Sequence, residues 1–375
     1  MTKYRICKRC VMDTTDPDIQ FDENGVCNHC RTFENRLKSR ILSKENAEKQ
    51  LSKIIDQIKK EGKNKKYDCI IGVSGGLDST FTAYMVKKLG LRPLAVHLDN
   101  GWNSELAVNN ITKTLKTLGI DLITYVIDWE EFKGLQLAFL KASTPDGEIP
   151  TDHAISAFLY DIAAKNGIRH VISGFNFRTE GIMPATWSYG HFDWKYIKGI
   201  HDLFETSKLK SYPHYSLLKL FYYSFIKKIR VLAILNYIEF DKNKAMQILE
   251  REIGWKYYGG KHCESIYTKF YQSYLLPVKF NIDKRKAHLS SIICSIGDIS
   301  RETALEELKK LPYDQNQIQE EKEYVIKKFG LTEQEYEEIL SLPIKTFNDY
   351  RNNYKLIKFY KEVFAFFRKL GVFYK

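Results

Sequence analysis

No apolar run in this 375-residue chain approaches the roughly 20 residues that a membrane span requires. The longest, such as Leu232–Leu235 and Val363–Phe367, are four or five residues. The first residues carry Lys3 and Arg5 ahead of Cys7 and lack the apolar core of a secretory signal, so a cytoplasmic protein is expected. Internal repeats and low-complexity tracts are also missing, and the apolar and charged fractions are those of a globular protein. Acidic residues are scarce relative to basic ones, 46 against 58, for a formal net charge of +12. That balance favours an anionic partner (nucleic acid, a nucleotide-linked substrate or a membrane surface) without choosing among them.

Two common nucleotide-binding signatures are absent: neither GxxxxGK[ST] nor GxGxxG occurs. What stands in their place is Ser74-Gly75-Gly76-Leu77-Asp78-Ser79. It follows a short apolar run, Asp68–Val73, that reads as a buried strand, and it precedes Ser79–Leu89, whose apolar residues have helical spacing. Paired glycines let the backbone turn sharply and bring its N–H groups to a ligand, and the helix presents its positive end to the same point. With the hydroxyls of Ser74 and Ser79 these groups form a nest for a polyphosphate.

Strand and helix signals continue to alternate. Pro93–Leu98, Asp121–Ile127 and Arg169–Ser173 read as strands; helices are expected from Ser104 to Leu118 and from Thr151 or Asp152 to Asn166. This order predicts a parallel sheet covered on both faces, with ligands at the carboxyl ends of its strands. Beyond about residue 205 strand signals fade and aromatic-rich helical patterns take over. The expected layout is a cysteine module over 1–35, a helical connector over 36–66, the sheet domain over 67–205 and a helical region over 206–375 for substrate or partner binding.

Four of the seven cysteines form two tight pairs, Cys7/Cys10 and Cys27/Cys30, with 16 residues between them. That spacing predicts a structural tetrahedral Zn²⁺ site, with an iron–sulfur cluster as the rival occupant. The remaining cysteines, Cys69, Cys263 and Cys294, are single, and no spacing pairs them.

The hexapeptide resembles the SGGxDS signature of the PP-loop (adenine nucleotide α-hydrolase-like) ATP pyrophosphatases. The resemblance implies ATP bound by Ser74, Gly75, Gly76, Leu77, Asp78 and Ser79, Mg²⁺ as cofactor with Asp78 bracing the loop or holding the metal, and AMP and pyrophosphate as products. Asp99 and Gly174, at the ends of the second and fourth strands, join the ATP set; a carboxylate that merely caps a turn explains Asp99 equally well. Longer segments are similar to the N-acetyl sugar amidotransferase family of bacterial surface-polysaccharide biosynthesis: Cys7–Pro17, Phe21–Cys30, His97–Ala107, Ile172–Gly181, Gly259–Ser265 and Asp283–Ser295. This second resemblance implies conversion of an acetamido group of a nucleotide-activated sugar, such as a UDP-linked diacetamido-uronic acid, into an acetamidino group. It also implies a separate glutaminase and an ammonia-channelling, cyclase-like partner, since no glutaminase nucleophile elbow is evident in the chain. No nucleic-acid partner is expected on this reading.

Within the resemblance, Lys261, His262 and Glu264 follow Gly259-Gly260 and are candidates for proton transfer with Asp78, although a charged surface turn accounts for the same residues. Arg178, Lys284, Arg285 and His288 are candidate anion contacts to substrate, with a solvated helix face as the alternative. Asp152 and His153 can line the pocket, helix capping by Asp152 being the simpler explanation. Residues 206–238 carry six basic residues and no acid, and Lys355–Lys375 six with Glu362. Both stretches suit packing on the protein's own core or docking of a partner. A PP-loop tRNA thiolation enzyme is the alternative function; such enzymes add cysteines at the active site, which here are single.

Overall fold

The computed structural model describes residues 3–205, 207–260, 263–295 and 299–374. Five strands form one sheet: β1 (Cys69–Gly72), β2 (Pro93–Asp99), β3 (Asp121–Val126), β4 (His170–Ser173) and β5 (Arg230–Ala233). Their spatial order is β3-β2-β1-β4-β5 and every pairing is parallel, with Ile70 opposite both Leu94 and Val171. Side-chain alternation sends Cys69 and Ile71 to one face and Ile70 to the other. The first face is covered by α2 (Lys44–Glu61), α3 (Leu77–Lys88) and α4 (Glu105–Leu118). The second is covered by α6 (Ile149–Lys165) through Ala157, Ile162 and Ala163. An earlier helix, α1 (Asn28–Arg40), belongs to the cysteine module.

The expected parallel α/β sheet is therefore present, with four differences. The sheet gains β5 from a stretch read as helical. Only Leu232 of its four residues is fully buried, and the apolar run Leu232–Leu235 continues past the strand into a short 3₁₀ turn, so it carries no strand alternation. A helix not foreseen, α5 (Trp129–Ala142), buries Gly134, Ala138 and Leu140 as well as the stripe Phe132, Leu135, Gln136 and Phe139, so it is covered on several sides and lacks the polar face that marks a surface helix. Helix α6 starts at Ile149 with Glu148 at its cap, so Asp152 lies inside the first turn and does not cap it. His153 is buried; its Nδ1–H donates to the His191 carbonyl at 2.6 Å, and its Nε2 accepts from the Tyr215 N–H at 3.3 Å.

A third core joins the cysteine module to the C-terminal helices. Phe33 of α1 stacks on Phe177 with ring centroids 4.9 Å apart, and Trp102 packs against Tyr267 and Phe329. Among the described residues no helix is long and apolar enough to cross a membrane.

Candidate active site

The strand order reverses between β1 and β4, which opens a crevice at their carboxyl ends. The loop Ser74–Gly76 and the loop that begins at Gly174 meet there. A Cβ on Gly174 would lie 3.1 Å from the Asp78 carbonyl and 3.3 Å from the Ser79 nitrogen, so any side chain would crowd this approach. Gly75 has φ +79°, and a Cβ there would sit 2.4 Å from the Ala107 carbonyl oxygen. The turn is fixed from outside as well: the Trp255 indole N–H donates to the Gly75 carbonyl at 3.0 Å.

Inside the turn, Ser79 Oγ accepts from the Ser74 N–H at 3.2 Å and lies 3.1 Å from Ser74 Oγ. The Gly76 N–H donates to Ser74 Oγ at 3.3 Å. Gly76, at the head of α3, has no side chain with which to cap the helix. The Leu77 N–H instead donates to the Tyr258 hydroxyl at 2.9 Å, the hydrogen bond that a helix N-terminus otherwise offers to an anion. Burial, then the charge of Glu264, push the Tyr258 phenol up, so it stays a neutral hydroxyl able to donate as well as accept.

Glu264 reaches this nest from the far end of the chain. Its Oε1 lies 3.5 Å from Ser74 Oγ. Residues 264–266 are strapped to the loop after β2: the Ser104 N–H donates to the Glu264 carbonyl at 2.9 Å, and the Ile266 N–H to the Trp102 carbonyl at 2.8 Å. Lys261 and His262 lie outside the described residues. Asp99, half-buried at the end of β2, uses Oδ1 to accept from the Gly101 N–H and from Asn103 Nδ2, bracing that same turn.

The basic residues expected to gather on substrate are dispersed. Successive helical residues point about 100° apart, and Lys284, Arg285 and Lys286 end in three places. Lys284 pairs with Glu148 at 2.7 Å, Arg285 forks onto Asp283, and Lys286 pairs with Asp13 at 2.6 Å. His288 Nδ1 lies 3.1 Å from the Thr179 carbonyl. Arg178 donates to the Leu235 carbonyl at 3.3 Å, and burial lowers its pKa. Asn176 and Glu180 brace the Arg178 loop, the former accepting from the Arg178 N–H and the latter from the Asn176 N–H.

Sequence reasoning gave Asp152 a minor place, and it passed over Tyr258 altogether. Asp152 is exposed in the first turn of α6, near Glu148 and Lys284. Desolvation, with Glu148 nearby, pushes its carboxyl up to about 7. Tyr258 carries no motif; only its position against Leu77 marks it.

The four paired cysteines are fully buried and their sulfurs lie within 4.8 Å of one another. Sulfur separations of 3.8 Å for Cys7–Cys30, 3.7 Å for Cys10–Cys27 and 3.6 Å for Cys27–Cys30 match the roughly 3.8 Å edge of a tetrahedron with Zn–S bonds of about 2.3 Å. That spacing suits one ion better than a cluster, whose thiolates are spread over several irons. Backbone N–H groups of Arg9, Cys10 and Cys27 point at Cys7 Sγ at 3.4, 3.5 and 3.2 Å. Cys294 stands 3.5 Å from Cys30 Sγ, a fifth sulfur that no spacing foretold.

Residues 47–207 match the NAD synthase family model, and residues 264–363 match LPS biosynthesis protein WbpG-like, C-terminal domain. The chain joins an NAD synthase-like PP-loop domain to a WbpG-like C-terminal domain. Over 103 residues it is 38% identical to a glutamine-hydrolyzing GMP synthase of Pyrobaculum aerophilum, covering 27% of this chain and 20% of that protein. Over 142 residues it is 28% identical to the tRNA-5-methyluridine(54) 2-sulfurtransferase of Pyrococcus horikoshii, covering 36% of this chain and 43% of that protein. The chain thus spans less than half the length of either relative. A solved NMN synthetase from Francisella tularensis is 14% identical with a TM-score of 0.31, covering 61% of this chain and 93% of that one. The WbpG-like match opens at Glu264, the residue that reaches the Ser74 hydroxyl of the PP-loop domain.

Proposed function

We propose that this protein is a cytoplasmic, ATP-dependent amidotransferase that turns an acetamido group of a nucleotide-linked sugar into an acetamidino group during lipopolysaccharide biosynthesis. The observation that carries this reading is the junction at Glu264. A domain similar to a lipopolysaccharide-biosynthesis protein begins where it touches the phosphate nest of a nucleotide-binding sheet. One site can then hold both ATP and a glycan precursor.

An amide carbon is a weak electrophile because nitrogen shares its lone pair with the carbonyl. Attack of the amide oxygen on the α-phosphorus of ATP forms an oxygen–phosphorus bond and expels pyrophosphate. Ammonia then adds to the imidate carbon, loses a proton, and AMP leaves with the former carbonyl oxygen. The nest at Ser74–Ser79 holds the β- and γ-phosphates through backbone N–H groups, the two serine hydroxyls and the Tyr258 hydroxyl, which is stabilisation by fixed donors. A bound Mg²⁺ would neutralise the departing pyrophosphate. Hard oxygen donors suit that ion, and Asp78 and Asp99, half-buried at the same sheet edge, are the carboxylates that would hold it. Glu264 and Asp152 are the bases for the proton released by the incoming nitrogen. Zinc in the four-cysteine site would be structural, since four thiolates leave no open position. Ammonia comes from a separate glutaminase through a channelling partner.

The relative acting on tRNA keeps RNA thiolation as the second reading. It wants a sulfur pair at the nest. In the structure Cys69 is buried in β1 and Cys294 lies on the four-cysteine site, leaving only Cys263 near the loop.

The deciding assay supplies ATP, Mg²⁺, ammonium and a UDP-linked diacetamido-mannuronic acid. Sugar-dependent AMP and pyrophosphate, with a mass change of oxygen for NH, is the expected result. ADP and phosphate as products would overturn the proposal.

A further inference from the structure

One side chain after β2 ties the phosphate loop, the Asp99 carboxylate and the C-terminal domain together. His97, buried in β2, brings Nδ1 to 2.8 Å from the carbonyl of Val73, the residue before Ser74. A carbonyl only accepts, so Nδ1 carries the ring hydrogen and Nε2 is left as an acceptor. Asn103 Nδ2 lies 3.1 Å from that Nε2 and 3.1 Å from Asp99 Oδ1. Both neighbours accept, which fixes the amide with its nitrogen toward them and one N–H for each. Asp99 Oδ1 also accepts from the Gly101 N–H at 2.9 Å. Two donors thus hold one carboxylate oxygen, and among the described residues no protein donor takes Oδ2.

The backbone of Asn103 is held from the other domain. Asn103 pairs with Ser265 in an antiparallel bridge. The Ser104 N–H donates to the Glu264 carbonyl on one side of that bridge, and the Ile266 N–H to the Trp102 carbonyl on the other. The segment that brings Glu264 to Ser74 Oγ therefore also sets where the Asn103 amide stands. An aspartate that merely closes a turn needs only the N–H two residues on, which Gly101 supplies. The further link from Asp99 through Asn103 and His97 to the strand that feeds the nest is more than a turn requires.

We infer that Asn103 is a positioning residue: its amide holds Asp99 Oδ1 and so leaves Oδ2 for a Mg²⁺ that arrives with ATP, and the docked segment Glu264–Ile266 holds the amide in place. The C-terminal domain then contributes to metal binding without supplying a ligand. This role rests on the reading of Asp99 as a carboxylate on Mg²⁺. A hydrogen bond that orients a metal-binding carboxylate is worth roughly ten- to a hundredfold in metal affinity.

The test is equilibrium binding of α,β-methylene ATP to the full chain, with saturating Mg²⁺ and with EDTA. The ratio of the two affinities measures what the metal adds. Asn103→Leu, close in size but without N–H groups, should cut that ratio about tenfold or more, while affinity in EDTA stays within about twofold. Asn103→Ser, polar but too short to bridge His97 and Asp99, should do the same, so a folding defect in the leucine variant does not decide the matter. Asp99→Asn should also cut the ratio, and adding Asn103→Leu to it should cost little more, because both act through one carboxylate. Additive losses would assign Asn103 to the fold and overturn the inference. A ratio equal to wild type in both Asn103 variants, with Asp99→Asn reduced, would overturn it and leave Asp99 on the metal. An unchanged ratio in Asp99→Asn would overturn both. No product is read in this experiment, so ADP formation in the assay above would sink the amidotransferase reading and leave this result standing.

Discussion

Asp152 is a carboxyl that the fold keeps at odds with its ordinary behaviour. It stands exposed in the first turn of α6, near the Lys284–Glu148 pair. Desolvation and Glu148 raise it to about 7, while an unfolded Asp titrates near 4. Between those values the folded chain binds the proton that the unfolded chain has lost. Stability from this group is therefore greatest below about pH 4 and declines as pH rises toward 7. Asp152→Asn should remove that slope, melting with wild type at pH 4 and a few degrees above it at pH 8. Parallel melting curves for the two proteins from pH 4 to 8 would show that water restores an ordinary carboxyl. A base poised near neutrality is also what proton removal from an incoming nitrogen requires.

The cysteine module matters as an element because of what it grips. Arg301 donates from Nε to the Cys7 and Cys10 carbonyls at 3.0 and 3.1 Å, and the Val11 N–H donates to Ser290 Oγ. Lys286 meets Asp13, whose side chain is 1% exposed. Removing one partner of such a pair strands the other charge, which costs about 3 kcal/mol, whereas removing both costs far less. Lys286→Met should thus lower the melting temperature by roughly 5 °C or more, and adding Asp13→Asn should restore over half of the loss. The metal content of both variants should equal that of the wild type. Equal melting temperatures for the single and double variants would mean that the pair is not the clamp. These ties explain which elements could be read beforehand. β1, β2 and β4 are runs buried on both faces, and the cysteine spacing is local, so both stand in the sequence. α5 is buried on several sides and β5 buries one residue, so neither leaves a periodic signal. The meeting of Cys294 with Cys30 spans 264 residues and is fixed only by the packing of helix Arg285–Ser295 on the module. The glycine-rich turn at Ser74–Ser79 was legible for the same reason as the cysteines, being contiguous; the approach of Tyr258 and Glu264 to it is assembled from distant segments and was not.

At the scale of the whole molecule the C-terminal helix (Tyr354–Lys369) carries two opposed faces. Lys361 and Arg368 share one with Ile357, which is buried. Phe359 and Phe366 precede them by two residues each, about 200° around the helix, and are 59% and 58% exposed. With Leu356 and Leu370, 46% and 62% exposed, they make an apolar stripe that the chain leaves uncovered. The expectation that this stretch packs on its own core holds for one face only. On the proposed function, this stripe is where an ammonia-supplying partner would dock. Phe359→Glu with Phe366→Glu should abolish glutamine-dependent turnover while ammonium-dependent turnover stays within twofold of wild type. Equal loss with glutamine and with ammonium would place the stripe in the fold and not at a partner. Full glutamine-dependent activity in the double variant would move the docking surface elsewhere, and the basic stretch at 206–238, with Leu218 and Ile226 77% and 64% exposed, would be the next to change.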